Sequence, residues 1–92
     1  MEIVWDEPKR LANLDKHGLD FADLNEAFFD NALVVPSRRK SKRWVAIGVN
    51  IRGVVVVVFA RLGREGVSII SMRAASKDER KQYAERQEKG WL

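Results

Sequence analysis

Ile69-Ile70-Ser71-Met72-Arg73-Ala74-Ala75-Ser76-Lys77-Asp78-Glu79-Arg80 carries an apolar strand directly into a charged helix and leaves a guanidinium at the junction. Ser76 and Glu79 stand in S-x-x-E spacing, so the hydroxyl and the carboxylate each satisfy a backbone N–H that the first helical turn leaves unpaired. That capping box fixes where the strand ends and the helix begins. The helix is predicted over Lys77 to Lys89 with Gly90 as its stop. Only Tyr83 and Ala84 look like buried contacts on it, so it packs weakly.

Working back from this junction, Val67 to Met72 is read as a strand and Gly63-Arg64-Glu65-Gly66 as the turn before it. The preceding strand contains five consecutive valines, Val54 to Val58, followed by Phe59. β-branched residues with no polar alternation suit a central strand covered on both faces. Asn50 to Gly53 supplies another turn. Before it the period becomes two, with Val45, Ile47 and Val49 on one face and Trp44, Ala46, Gly48 and Asn50 on the other. Leu33-Val34-Val35 reads as a short strand, and Pro36 confines it to an edge. The fold class expected is α+β, an antiparallel meander of three to four strands.

Towards the N-terminus, Ile3-Val4-Trp5 is a short strand candidate. Asp6 then offers an N-cap, with Glu7 and Pro8 in the first turn of a helix that carries Leu11 and Leu14 and stops at Lys16-His17-Gly18. Asp20 is read as the cap of a second helix whose Phe21, Leu24 and Phe28 make an apolar stripe, ending at Asp30-Asn31. Both N-terminal helices are expected on one face of the sheet. The other face is left without a cover in its own chain, which points to a partner protein.

The 92 residues suffice for one domain, 1–92, with one modest core. Zero cysteines exclude disulfides and thiolate metal sites, and no stretch has the length and apolarity of a membrane span or signal peptide, so a cytoplasmic protein is expected. Seventeen Lys and Arg against thirteen Asp and Glu give +4, favouring anionic partners. Arg38, Arg39, Lys40, Lys42 and Arg43 crowd five cations into six positions, a solvated loop or an RNA-binding segment.

No Gly-rich phosphate loop, H-E-x-x-H or calcium loop is present in the sequence, so no cofactor and no metal is expected. What remains is a basic set suited to phosphodiester cleavage by the RNA 2′-hydroxyl, which needs a base, cations and a proton donor. Arg73 is the first candidate, placed by strand alternation on the face of Ile69 and Ser71, and Arg61 is its companion at the far end of the neighbouring strand. His17 is the side-chain type that titrates near neutrality, although a helix C-terminus also favours histidine for its dipole. Tyr83 either donates a proton, stacks on a base or simply anchors its helix. Lys16 and Glu79 complete the set, Glu79 also serving the cap.

Trp5-Asp6-Glu7-Pro8-Lys9-Arg10, Asn13, Lys16-His17-Gly18 and Phe21, then Ile47-Gly48, the valine strand, Ile69-Ile70-Ser71 with Arg73, and Glu79-Arg80 with Tyr83, resemble the BrnT toxin family over nearly the whole chain. The resemblance implies a RelE-like fold, ribonuclease activity that arrests translation, and neutralisation by a BrnA-like antitoxin of ribbon-helix-helix type through which operator DNA is bound. By the family's pattern Lys16, His17, Arg61, Arg73, Glu79 and Tyr83 are the positions that matter. One departure is Ala74, where many family members carry a cation beside the arginine. A second reading is a non-catalytic subunit that binds nucleic acid or protein.

Overall fold

The computed structural model describes residues 1–89, so the predicted stop at Gly90 lies outside the described residues. Five strands and three helices follow one another as β1 (Glu2–Trp5), α1 (Glu7–His17), α2 (Glu26–Asn31), β2 (Leu33–Pro36), β3 (Trp44–Asn50), β4 (Gly53–Leu62), β5 (Gly66–Ala74) and α3 (Lys77–Lys89). The sheet order is β1-β5-β4-β3-β2. β2 to β5 form the expected antiparallel meander. The sheet is nevertheless mixed and five-stranded, because β1 adds to the edge of β5 in parallel, with Trp5 opposite Ile69. Three apolar residues carry little orientation signal of their own, and α1 is the connection that returns the chain.

The second predicted helix is broken in two. Asp20 accepts from the Ala22 N–H and caps only a 3₁₀ turn, Phe21–Asp23, after which Asn25 accepts from Phe28 N–H and starts α2. Asn25 thus competes for the backbone inside the apolar stripe, as short polar side chains do. The stripe still reaches the core. Phe21, Leu24, Phe28 and Phe29 pack on Ala46, Val55, Val57, Phe59, Val67, Ile69 and Met72. Gly48 is required here, since a Cβ would lie 2.8 Å from Phe28 Cε2.

Helix α1 departs further from its pattern. Leu11 and Leu14 are exposed, and Asn13 is the buried residue of this helix. The two N-terminal helices therefore do not share one face: α2 lies over the sheet, whereas α1 runs beside β5 at the sheet's edge. At its end Gly18, with φ of 68°, turns left-handed and donates to the Leu14 carbonyl, as the K-H-G stop predicts.

The face turned away from α2 is more closed than its valines imply. Ile47 and Val56, which point there, are buried. Lys9 and the β2–β3 loop residues Arg39, Lys40 and Arg43 come over its Val58 and Ile70. Its exposed large apolar residues among those described lie at its margin, at Val35, Val49, Ile51 and Leu62.

Candidate functional site

The junction between β5 and α3 is built as its residues dictate. Glu79 N–H donates to Ser76 Oγ at 3.2 Å and Ser76 N–H donates to Glu79 Oε1 at 2.8 Å, closing the capping box. The same carboxylate receives two hydrogen bonds from Arg73, Nη1 to Oε1 at 2.7 Å and Nη2 to Oε2 at 2.8 Å. Arg73 thereby pulls the Glu79 carboxyl from 4.5 down to about 2. The guanidinium remains 46% exposed against 21% for its partner, so the pair is solvent-facing and Arg73 retains an open side.

A β-bulge decides which way Arg73 points. The β4–β5 register shifts at Val58/Phe59, with Val58 opposite Ser71 and Phe59 opposite Ile69, which leaves Ile70 unpaired. Simple alternation put Ile69, Ser71 and Arg73 on one face. The extra residue instead sends Ile69 into the core while Ser71 and Arg73 share the opposite face.

On that face two open clefts adjoin, sharing Lys9 and Ile70. One, of about 300 Å³, is lined by Lys9, Ala12, Asn13, Lys16, His17, Ile70 and Ser71. The other, of about 320 Å³, is lined by Lys9, Ser37, Arg39, Lys40, Arg43, Val58 and Ile70. Together they form a groove with an apolar floor and two basic walls, α1 on one side and the β2–β3 loop on the other. Lys9 and Lys16, seven residues apart on α1, face the groove together. Lys9 was visible only as part of a motif; its i, i+7 relation to Lys16 is the signal that places it. Of the loop cations, Arg39, Lys40 and Arg43 line the groove, and Arg38 and Lys42 are exposed outside that lining.

Asn13 holds the α1 wall. Its Oδ1 accepts from Met72 N–H at 3.0 Å, and its Nδ2 donates to the Met72 carbonyl at 2.9 Å and to the Leu19 carbonyl at 3.2 Å. β1 leaves β5 at Ile69, so the outer edge of β5 beyond that point has no strand beside it. The Asn13 amide supplies there the donor and acceptor that a strand would. Its sequence signal is a polar residue between Leu11 and Leu14, where a helix facing the core would bury a hydrocarbon.

The remaining candidates do not all converge. Arg61 lies over the Trp44 ring at 4.7 Å and lines a separate depression with Phe29, Phe59 and Arg64. It shares the α2-side face with Phe59, and from Val56, opposite Arg73, to Arg61 the strand runs roughly 17 Å. Arg61 and Arg73 cannot clamp one phosphate. Tyr83 is half-buried against Phe28, Asn50 and Ile51, near the β3–β4 turn. That turn lies two strand spacings, roughly 10 Å, from β5. Arg73 and Glu79 are paired where β5 ends, Lys16 and His17 meet β5 at Ile70 and Ser71, and Tyr83 lies farther across the sheet. Among the described residues no group of three or more His, Cys, Asp and Glu is arranged to hold a metal ion.

Residues 5–79 match a family model described as the ribonuclease toxin BrnT of type II toxin–antitoxin systems. Among solved structures, the crystal structure of the Brucella abortus ribonuclease toxin BrnT is similar with a TM-score of 0.76 and 50% sequence identity, over 84% of this chain and 99% of that one. No curated protein matches. With about four-fifths of its length inside the family model and half its aligned residues identical to a solved member, the chain belongs to the BrnT family of ribonuclease toxins.

Proposed function

We propose that the chain is a metal-independent endoribonuclease of RelE-like type that cleaves RNA in the groove between α1 and the β2–β3 loop and so inhibits translation in the cytoplasm. What supports this reading is a basic groove lined by Lys16 and His17 and continued by Lys9, Arg39, Lys40 and Arg43, with Arg73 two residues beyond Ser71 of that groove and on the same sheet face. The backbone of a single strand follows the cations, and its affinity falls as salt rises because each neutralised phosphate releases counterions.

At the reacting end, the imidazole of His17 or the amine of Lys16 accepts the 2′-hydroxyl proton. The 2′-oxygen bonds to phosphorus, the bond from phosphorus to the 5′-oxygen breaks, and the 5′-oxygen takes a proton from the other group. The products are a 2′,3′-cyclic phosphate and a 5′-hydroxyl. Arg73 is held by Glu79 with its exposed side available to the phosphate oxygens that gain charge, the kind of fixed cation worth most in such a transition state. Ala74 withholds a second cation from this place, so Arg73 carries the charge stabilisation alone. Tyr83 is too far across the sheet for the leaving oxygen and anchors its helix beside Phe28 and Asn50 instead. Arg61, on the other face, has no part in the step.

Membership in a type II toxin–antitoxin family implies an antitoxin. We assign it BrnA-like character, a ribbon-helix-helix protein that binds operator DNA while the toxin attaches through it. The test is cleavage of a defined RNA by purified, antitoxin-free chain in excess chelator, beside growth on expression. Cleavage and growth arrest, both lost in Arg73→Ala, are the expected results. Intact RNA with a wild-type relative active in the same tubes, and growth unaffected, would favour the non-catalytic binding subunit.

A further inference from the structure

We propose that Asn13 is a positioning residue of the ribonuclease site, setting the register between the α1 wall, with Lys16 and His17, and strand β5, which carries Ser71 and Arg73. The inference rests on the ribonuclease reading above. α1 has no apolar anchor: Leu11 and Leu14 face solvent and Asn13 is its buried residue. The β1 ladder fixes where the helix starts beside β5, and beyond Ile69 its position is held by the Asn13 amide, with two hydrogen bonds to Met72, which lies between Ser71 and Arg73, and one to Leu19. Two residues upstream of Met72, at Ile70, the bulge resets which side chains face the groove. Sliding α1 moves the acid and base relative to the phosphate-binding guanidinium, and an ångström of misplacement between reacting groups is enough to cost about 100-fold in rate.

The experiment compares Asn13→Ala and Asn13→Asp with wild type and with Gly48→Ala, which crowds Phe28 under α2 and disturbs packing without touching α1. Each chain is assayed below its own unfolding transition for single-turnover cleavage at saturating RNA, and for the Kd of an RNA analogue that is 2′-deoxy at the cleaved nucleotide. Asn13→Ala is expected to cleave about 100-fold more slowly with Kd little changed, while folded Gly48→Ala keeps the wild-type rate. In Asn13→Asp the neutral carboxyl can still donate to one Met72 group and accept from the other, whereas the carboxylate can only accept. The ratio of its rate to that of wild type should therefore rise as pH falls through the titration of that carboxyl. Wild-type cleavage by folded Asn13→Ala, or a loss no larger than that of Gly48→Ala, overturns the proposal. A wild-type chain that leaves RNA intact overturns the ribonuclease reading instead. Exchange of the Met72 amide then decides the register claim, supporting it if protection is lost in Asn13→Ala and overturning it if that amide exchanges freely in wild type.

Discussion

Replacing Glu79 by Gln removes one charge and almost no volume, and the consequence can be worked from the geometry. The side-chain carbonyl of glutamine still accepts from Ser76 N–H, so the capping box survives, but the two charge-assisted bonds from Arg73 lose their anion. A carboxyl lowered from 4.5 to about 2 corresponds at face value to about 3 kcal/mol of stabilisation. The exposure of Arg73 brings this down to about 1 kcal/mol through solvent screening. In a domain of this size about 1 kcal/mol moves Tm by roughly 5 °C. Because the folded carboxyl titrates below the unfolded one, the contribution is whole above about pH 4.5 and is lost as pH falls toward about 2. Thermal unfolding of wild type and Glu79→Gln should differ by roughly 5 °C at pH 7 and by under half of that at pH 3. Equal Tm values at pH 7, or a gap that acid leaves unchanged, would refute the reasoning.

Arg73→Ala should lower the cleavage rate by about 100-fold or more, whereas Arg61→Ala, stacked on Trp44 on the opposite face, should leave it unchanged in the same gel assay. Removing two loop cations together, Arg39→Ala with Lys40→Ala, should reduce the slope of log Kd against log salt by about 1.4 for single-stranded RNA, measured on a 2′-deoxy analogue. Gly48→Ala should cost about 1–3 kcal/mol in urea unfolding, since the added methyl lands on Phe28.

The elements with strong local signals were legible in the residues alone. The Ser76/Glu79 box, the Gly18 stop, the β2–β5 meander and the alternation of β3 all rest on chemistry within a few residues of one another. The separation of Arg61 from Arg73 also followed from strand pairing alone. What escaped was set by tertiary context. β1 pairs with a strand some sixty residues away, and nothing in Ile3-Val4-Trp5 specifies parallel over antiparallel. The bulge at Ile70 has no glycine to announce it, yet it reverses the face of Ile69 relative to Arg73. Leu11 and Leu14 matched an apolar stripe, but α1 meets a backbone edge instead of a sheet face, and such an edge needs an amide more than a methyl group. The candidate site was legible as a set of residue types; its arrangement as a groove walled by α1 and the basic loop required the fold.

The proposed activity is phosphodiester cleavage by the RNA's own 2′-hydroxyl, assisted by side chains of this chain. Its most direct test is a pair of oligonucleotides, all-RNA and the same sequence with a single 2′-deoxy at the cleaved nucleotide, incubated with antitoxin-free protein in excess chelator and resolved by mass spectrometry. The prediction is a 2′,3′-cyclic phosphate and a 5′-hydroxyl from the first and an intact second strand. Cleavage of the 2′-deoxy strand at the same bond, or products bearing a 5′-phosphate, would contradict it.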